Sequence, residues 1–113
     1  MTPASLLKAL ADPTRLRIVH VLAQGETCVG DMVSILGVTQ PTASRHLGRL
    51  RRAGLVVVRE EGRWAHYSLA PARSAFHRRL LGCLGSCEDP QLASDLAKTK
   101  SLRRAGGCCP TKR

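Results

Sequence analysis

The first third of the chain repeats a pattern of capping residue, proline and apolar positions at helical spacing. A capping side chain followed by proline stands at residues 2–3 and again at 12–13, and this pair is typical of a helix start. Apolar residues follow each pair until Gln24 and Gly25, so two short helices are predicted within residues 3–24. A third is predicted at residues 29–36, where Gly37 closes it.

The next predicted helix is amphipathic and cationic. It is capped by Thr39 and ends at about Ala53, and its apolar positions Ala43, Leu47 and Leu50 are three and four residues apart, so they share one face. The remaining positions are polar or basic. This helix therefore has a narrow apolar stripe and a broad cationic surface.

A hairpin and two further helices complete the pattern. Residues 55–60 and 64–70 are rich in β-branched or aromatic side chains, and the turn at 61–63 joins them into a predicted hairpin. A helix is predicted from Pro71 to about Leu84, and a marginal one within residues 91–102. We assign residues 1–87 to one domain and residues 88–113 to a basic, partly flexible tail.

This order of elements predicts a mainly α fold, a winged helix-turn-helix with one β-hairpin wing. The net charge of +10 in 113 residues makes a polyanion the expected partner, with nucleic acid ahead of a membrane surface. The polar positions of the cationic helix and the wing are suited to base edges and phosphates of double-stranded DNA. The predicted DNA-binding residues are Gln40, Thr42, Ser44, Arg45, His46, Arg49, Arg52 and Arg63, with Arg51 and Arg59 extending the positive charge.

Other classes of protein find little support. The chain has no Gly-rich phosphate loop, no carboxylate pair near a histidine and no Cys-x-x-Cys motif, so an enzyme is not expected. It also has no apolar run of membrane-spanning length and no export signal at its start, which predicts a cytoplasmic protein without a membrane partner. Its five cysteines are then expected to be reduced.

The stretches LLKALADPTRLRIVHVLA and SILGVTQPTASRHLGRLRRAGLVVVREEGRWAHYSL resemble the ArsR/SmtB family of bacterial metal-responsive repressors. The resemblance covers about residues 5–70. It implies a winged-helix homodimer whose first and last helices form the dimer interface and whose two recognition helices read an inverted repeat. It also implies that the metal-free dimer represses and that a bound metal or metalloid releases the operator.

The family's metal-binding motifs are incomplete in this chain. Where arsenic repressors of the founding type carry ELCVCDLC, this sequence reads ETCVGDMV, so only Cys28 remains and we interpret it as a small buried residue. The Asp and His pairs of the zinc type are also missing from the helix after the wing, where His77 stands alone and is expected to be solvated.

Four other cysteines form the predicted metal site. Cys83 and Cys87 share one helical face, and the adjacent Cys108 and Cys109 suit soft, thiophilic ions. We expect the two pairs to join within or across subunits around trivalent arsenic, as arsenite or methylarsenite. The alternative inducers are cadmium and lead. A thiol redox-sensing repressor and a constitutive DNA-binding protein remain alternatives to metal sensing.

Overall fold

A computed structural model describes residues 2–106. Six helices and three strands lie within this range, in the order α1 Pro3–Leu10, α2 Pro13–Leu22, β1 Thr27–Cys28, α3 Val29–Leu36, α4 Gln40–Arg52, β2 Val56–Glu61, β3 Trp64–Leu69, α5 Ala75–Gly85 and α6 Pro90–Ala105. The winged helix-turn-helix is confirmed: α3 and α4 form the helix-turn-helix, and β2 and β3 form the wing.

Local side-chain chemistry starts the helices where the sequence predicts. The side chains of Thr2, Asp12 and Thr39 accept hydrogen bonds from backbone N–H groups in the first turns of α1, α2 and α4. Gly37 ends α3 with a φ of 70°, in the left-handed region that glycine enters without a steric penalty. The three-residue connection to α4 is thereby kept short.

The sheet has a strand that the hydrophobic pattern does not reveal. The strand order is β1-β3-β2 and both pairings are antiparallel, with Thr27 opposite Tyr67 and Cys28 opposite His66. A two-residue strand is too short to show a period of two in sequence. Because β1 pairs with β3 and directly precedes α3, it connects the start of α3 to the wing.

The core is aliphatic and lies between the helices and the base of the wing. Ile18 and Val21 of α2, Met32 of α3, Leu47 of α4 and Leu55 before β2 are all fully buried. At about 25 cal/mol per Å² of buried apolar surface, such residues provide most of the stabilisation. This core fixes α4 with its apolar stripe inward.

The two C-terminal helices differ from the sequence expectation. α5 begins at Ala75 rather than Pro71, because Ser74 caps it by accepting a hydrogen bond from the N–H of His77. α6 is a 16-residue helix that packs against α2 and α3 and buries Leu92, Asp95 and Thr99. The division between residues 87 and 88 stays a prediction.

A buried ion pair holds α6 against α2. Arg17 donates to both carboxylate oxygens of Asp95 at 2.8 and 3.0 Å, and to the carbonyl of Leu36 at 3.1 Å. The hydrogen bond with Asp95 raises the pKa of the Arg17 guanidinium, against the opposing effect of burial. Asp95 is fully buried and also accepts from the side chain of Gln91 at 3.0 Å.

Candidate nucleic-acid interface and thiol groups

The exposed face of α4 is the most basic surface feature of the helix-turn-helix. Ala43, Leu47 and Leu50 are fully buried, while Arg45, Arg49, Arg51 and Arg52 are all exposed. Since Arg45, Arg49 and Arg52 stand four and three residues apart, they form one stripe along the helix. No acidic residue interrupts α4. We call these three arginines the α4 stripe.

The N-terminal turn of α4 presents short hydrogen-bonding groups. Gln40 and Ser44 are exposed, and Thr42 is partly exposed. Thr39 donates its hydroxyl proton to the Thr42 hydroxyl at 2.9 Å, which leaves the Thr42 proton able to donate elsewhere. These groups are placed as base-edge or phosphate contacts require.

His46 lies on a different side of α4 from the stripe. Its Nδ1 is 3.3 Å from Nη1 of Arg15 and 3.7 Å from a carboxylate oxygen of Asp12, and its side chain is only 15% exposed. The imidazole therefore packs against the start of α2. This contact positions α4, and the DNA-binding role of His46 stays a prediction.

The wing carries one exposed arginine at its tip and one in ion pairs. Arg63 is exposed in the turn beside Gly62, whose φ is 63°. Arg59 instead donates to Glu26 at 2.8 and 3.1 Å and to Glu61 at 3.2 Å. Its role of extending the positive charge toward phosphate stays a prediction, and in this structure the guanidinium is engaged by these two carboxylates.

The Arg59–Glu26 pair connects the wing to the segment before β1. The hydrogen bonds from Arg59 hold the pKa of Glu26 below its ordinary value, although partial burial opposes this. Together with the β1–β3 pairing, the ion pair joins the wing to the start of α3. Sequence reasoning missed it because residues 26 and 59 are remote in the chain.

The buried histidines are structural in this fold. His77, expected to be solvated, is fully buried, and its Nδ1 accepts the backbone N–H of Arg73 at 3.3 Å. That expectation is wrong, because the imidazole is enclosed and is contacted by the segment before α5 through the N–H of Arg73. His66 is 1% exposed in β3. Among residues 2–106, no group of three or more His, Cys, Asp or Glu side chains is arranged to hold a metal ion.

The cysteines occupy two separate regions. Cys83 and Cys87 are exposed and carry free thiols at the C-terminal end of α5, where the Cys87 thiol is 3.8 Å from the Cys83 carbonyl oxygen. Cys28 is 2% exposed and caps α3, with its sulphur accepting the N–H of Asp31 at 3.4 Å. The predicted ligands Cys108 and Cys109 lie outside the described residues.

The interpretation of Cys28 as a small buried residue is confirmed, but the expectation of reduced thiols does not hold for it. Cys28 is disulfide-bonded in the structure. Its thiolate chemistry therefore belongs to the reduced protein, whereas Cys83 and Cys87 are free thiols as they stand.

Two surface pockets adjoin the helices of the C-terminal half. One is lined by His20, Cys87, Asp89 and Leu92, where the loop after α5 meets α2 and α6. The other lies between α1 and α5 and is lined by residues that include Leu6 and Phe76. In the part of the chain described, no helix has the length and apolar character needed to cross a bilayer.

Comparison with known proteins agrees with this architecture. Residues 12–58 match the model of the bacterial regulatory protein, arsR family. The arsenical resistance operon repressor of Escherichia coli (strain K12) is 41% identical over 93 residues, which cover 81% of this chain and 80% of that protein. The cadmium resistance transcriptional regulatory protein CadC homolog of Staphylococcus aureus is 43% identical over 70 residues, or 61% of this chain and 58% of that protein.

A solved structure shows the same fold in an assembled form. The homodimeric winged helix-turn-helix DNA-binding domain from Mycobacterium bovis has a TM-score of 0.62 and 37% sequence identity, covering 72% of each chain. The helix-turn-helix and the wing of this chain are the elements expected of the family to which the matched relatives belong. The chain therefore belongs to the ArsR family of bacterial transcriptional regulators.

Proposed function

We propose that this protein is a homodimeric repressor that binds double-stranded operator DNA and is released by a thiophilic metal or metalloid, with trivalent arsenic, as arsenite or methylarsenite, as the first candidate. The observation that carries the proposal is the α4 stripe. Three exposed arginines lie on one face of a helix whose opposite face is locked in the core. The net charge of +10 supports the same partner through long-range attraction.

Each part of the interface has a distinct role in this proposal. The N-terminal turn of α4, with Gln40, Thr42, Ser44 and Arg45, reads base edges in the major groove. Arg49, Arg52 and Arg63 contact phosphates, which fixes the register without reading sequence. His46 completes the proposed interface by holding α4 against α2.

The dimer is proposed from exposed apolar side chains on adjacent helices. Leu7 of α1 is 50% exposed and Phe76 of α5 is 39% exposed, and these two helices pack against each other. An exposed apolar patch that spans neighbouring helices marks a protein–protein contact more often than a single exposed side chain does. A two-fold dimer would present two copies of α4 about 34 Å apart, one helical turn of DNA.

The inducer is proposed from the thiols and from the relatives. Soft thiolate donors favour trivalent arsenic, cadmium and lead over hard cations. The donors proposed from the sequence are Cys83, Cys87, Cys108 and Cys109, joined within or across subunits. The arsenical resistance name of a 41% identical relative supports arsenic as the first candidate. The cadmium resistance name of another relative supports cadmium as an alternative, and lead is a further soft ion of the same chemistry.

A fluorescence anisotropy titration tests the proposal. Fully reduced protein is bound to its own upstream DNA in the presence of reductant, the environment expected of the cytoplasm, and arsenite, methylarsenite, cadmium, lead and zinc are added separately. Release by trivalent arsenicals alone supports arsenic sensing. Release by cadmium or lead alone supports the alternative inducers, and a complex that no ion disturbs contradicts metal sensing.

Redox sensing is a second candidate function, and the disulfide state of Cys28 favours it. In that case peroxide releases the DNA by removing two electrons and two protons from a thiol pair, and a dithiol reductant restores binding. The same anisotropy assay separates the two functions. Release by peroxide without a response to metals would select redox sensing.

A further inference from the structure

The side chain of Arg15 joins three helices. It extends from the first turn of α2, and its guanidinium donates through Nε to the carbonyl oxygen of Ala9 at 2.6 Å and through Nη2 to that of Lys8 at 3.5 Å. Its Nη1 is 3.3 Å from Nδ1 of His46. Arg15 therefore connects the end of α1 to the middle of α4.

The end of α1 needs a donor from outside the helix, and Arg15 supplies it. In a continuing helix, the carbonyl of Ala9 would accept the N–H of the residue four positions later. That residue is Pro13, which has no N–H. Because Ala9 is only 2% exposed, an unpaired carbonyl at this position would cost free energy. The charged donor of Arg15 satisfies it and fixes the guanidinium against α1.

The contact with His46 has a defined direction. A guanidinium has donors only, so the unprotonated Nδ1 of His46 accepts from Arg15. The carboxylate of Asp12 is 3.7 Å from the same Nδ1 and accepts the backbone N–H of Arg15 at 3.0 Å. The start of α2 and the imidazole of α4 therefore belong to one cluster.

We infer that Arg15 is a positioning residue for operator recognition: through His46 it sets the orientation of α4 relative to α1, and so the separation of the two recognition helices in a dimer. This inference rests on the proposed function, in which α1 contributes to the dimer interface and α4 enters the major groove. Leu7 of that proposed interface directly precedes Lys8, and Arg45, the proposed base reader, directly precedes His46. One guanidinium thus contacts the residue next to each of them.

A dimer is sensitive to the orientation of α4 because both recognition helices must fit their half-sites at the same time. The apolar face of α4 is held by the core, but apolar burial is non-directional. The hydrogen bonds of a planar guanidinium restrict the angle as well as the distance. Without them, α4 stays packed but its tilt is less restricted. An isolated half-site imposes no spacing, so the loss should concern mainly the complete operator.

Four variants of the full-length protein test the inference. Arg15→Ala removes the whole connection, and His46→Leu removes the acceptor while Arg15 still holds α1. His46→Asn keeps an acceptor beside Arg15 and is the conservative variant. Lys98→Ala removes one exposed charge from α6 and is the control for net charge. Circular dichroism and sedimentation verify the fold and the oligomeric state of each.

Anisotropy titrations measure each protein on the operator, on an isolated half-site, and on operators with one base pair inserted or deleted between the half-sites, which changes their separation by about 3.4 Å. The native protein should lose at least about tenfold in affinity on the altered spacings. Arg15→Ala and His46→Leu should bind the operator more weakly and lose less than about threefold when the spacing changes. His46→Asn and Lys98→Ala should keep the native preference for one spacing.

A double-mutant cycle tests whether the two side chains act together. If Arg15→Ala and His46→Leu each reduce operator affinity about tenfold, the protein with both changes should also lose about tenfold rather than a hundredfold, because both remove the same contact. Additive losses would show that the two residues act separately and would overturn the inference.

Two further results would overturn the inference without affecting the proposed function. One is a native preference for spacing in both Arg15→Ala and His46→Leu. The other is a uniform loss of affinity at every spacing, with a lower melting temperature, which would assign Arg15 to stability alone. A native protein that binds as a monomer, or that binds operator and scrambled DNA equally, contradicts the proposed function itself.

Discussion

Arg45 and Arg52 belong to the same stripe but are expected to contribute differently to DNA binding. Arg45 lies near the start of α4, where a base edge is within reach, so Arg45→Ala should cost about 1–3 kcal/mol on the operator and reduce discrimination against other sequences. Arg52→Ala, at the end of the helix, should weaken all DNA similarly and lower the salt slope by about one. Anisotropy titrations across salt concentrations, on operator and scrambled DNA, measure both effects.

The two variants serve as controls for each other. Equal loss on operator and scrambled DNA for Arg45→Ala would contradict base reading by this residue. Operator affinity unchanged in both variants would show that the α4 stripe does not face the DNA.

Asp95 is expected to contribute strongly to stability. Its carboxylate is fully buried and accepts from both Arg17 and Gln91. Asp95→Ala leaves the Arg17 guanidinium without its counter-charge, which should lower the free energy of unfolding by about 3 kcal/mol. Urea denaturation measures the loss. Glu88→Gln, an exposed acidic position before α6, is the matched control and should stay within about 0.5 kcal/mol of the native protein.

Sequence reasoning finds single residues when their signal is local. Residues close in sequence are enough to predict the helix caps and the buried face of α4. The structure confirms both, with Thr2, Asp12 and Thr39 as the caps. The Arg17–Asp95 and Arg59–Glu26 pairs join residues that are 78 and 33 positions apart. Nothing in their local sequence distinguishes these charges from solvated ones, so the roles of Asp95 and Arg59 required the fold.

At the scale of elements, the connection between α3 and α4 depends on the left-handed conformation of Gly37. An added Cβ would meet no atom within 4 Å, so the cost of Gly37→Ala is confined to the backbone and should be about 1–2 kcal/mol. Gly82 lies inside α5 with equally open surroundings. Gly82→Ala should therefore raise the free energy of unfolding by up to about 1 kcal/mol. Thermal denaturation should show a lower melting temperature for Gly37→Ala and a higher one for Gly82→Ala. A higher melting temperature for Gly37→Ala would contradict the need for glycine in this turn.

The cap of α2 predicts an acid-sensitive contribution to stability. Burial alone would raise the pKa of Asp12, but the N–H of Arg15 and the nearby charges of His46 and Arg15 outweigh it and hold the pKa below its ordinary value of 3.8. The stabilisation is therefore complete above that ordinary value and is lost as the pH falls through the lowered pKa. Melting temperatures between pH 7 and pH 2 should decline in the acid range.

Asp12→Asn isolates this contribution. Asparagine caps helices nearly as well but carries no charge, so the variant should melt close to the native protein at low pH and below it at pH 7. A melting curve with an unchanged pH dependence would show that Asp12 does not contribute through its charge.

At the scale of the whole molecule, the sequence predicts the winged helix-turn-helix because its order of caps, apolar stripes and hairpin is local and complete. The position of α6 was less predictable. Its exposed and buried residues have weak periodicity, and its docking depends on the remote partners Arg17 and Glu26.

The remaining whole-molecule question is the assembly, and the exposed apolar residues of α1 and α5 make it testable. The double variant Leu7→Glu and Phe76→Glu would place charges where a two-fold interface should exclude water, so it should sediment as a monomer. Val57 is similarly exposed, at 45%, but lies on the wing, and Val57→Glu should leave the oligomeric state unchanged. Sedimentation velocity compares the three proteins at equal concentration.

The operator affinity of the same variants links assembly to function. A dimer binds two half-sites at once, so dissociation of one α4 is followed by rapid rebinding while the other remains bound. The Leu7/Phe76 variant should therefore lose at least about tenfold in affinity for the full operator and little for an isolated half-site. A native protein that already sediments as a monomer, or a double variant that remains dimeric, would contradict an interface formed by α1 and α5.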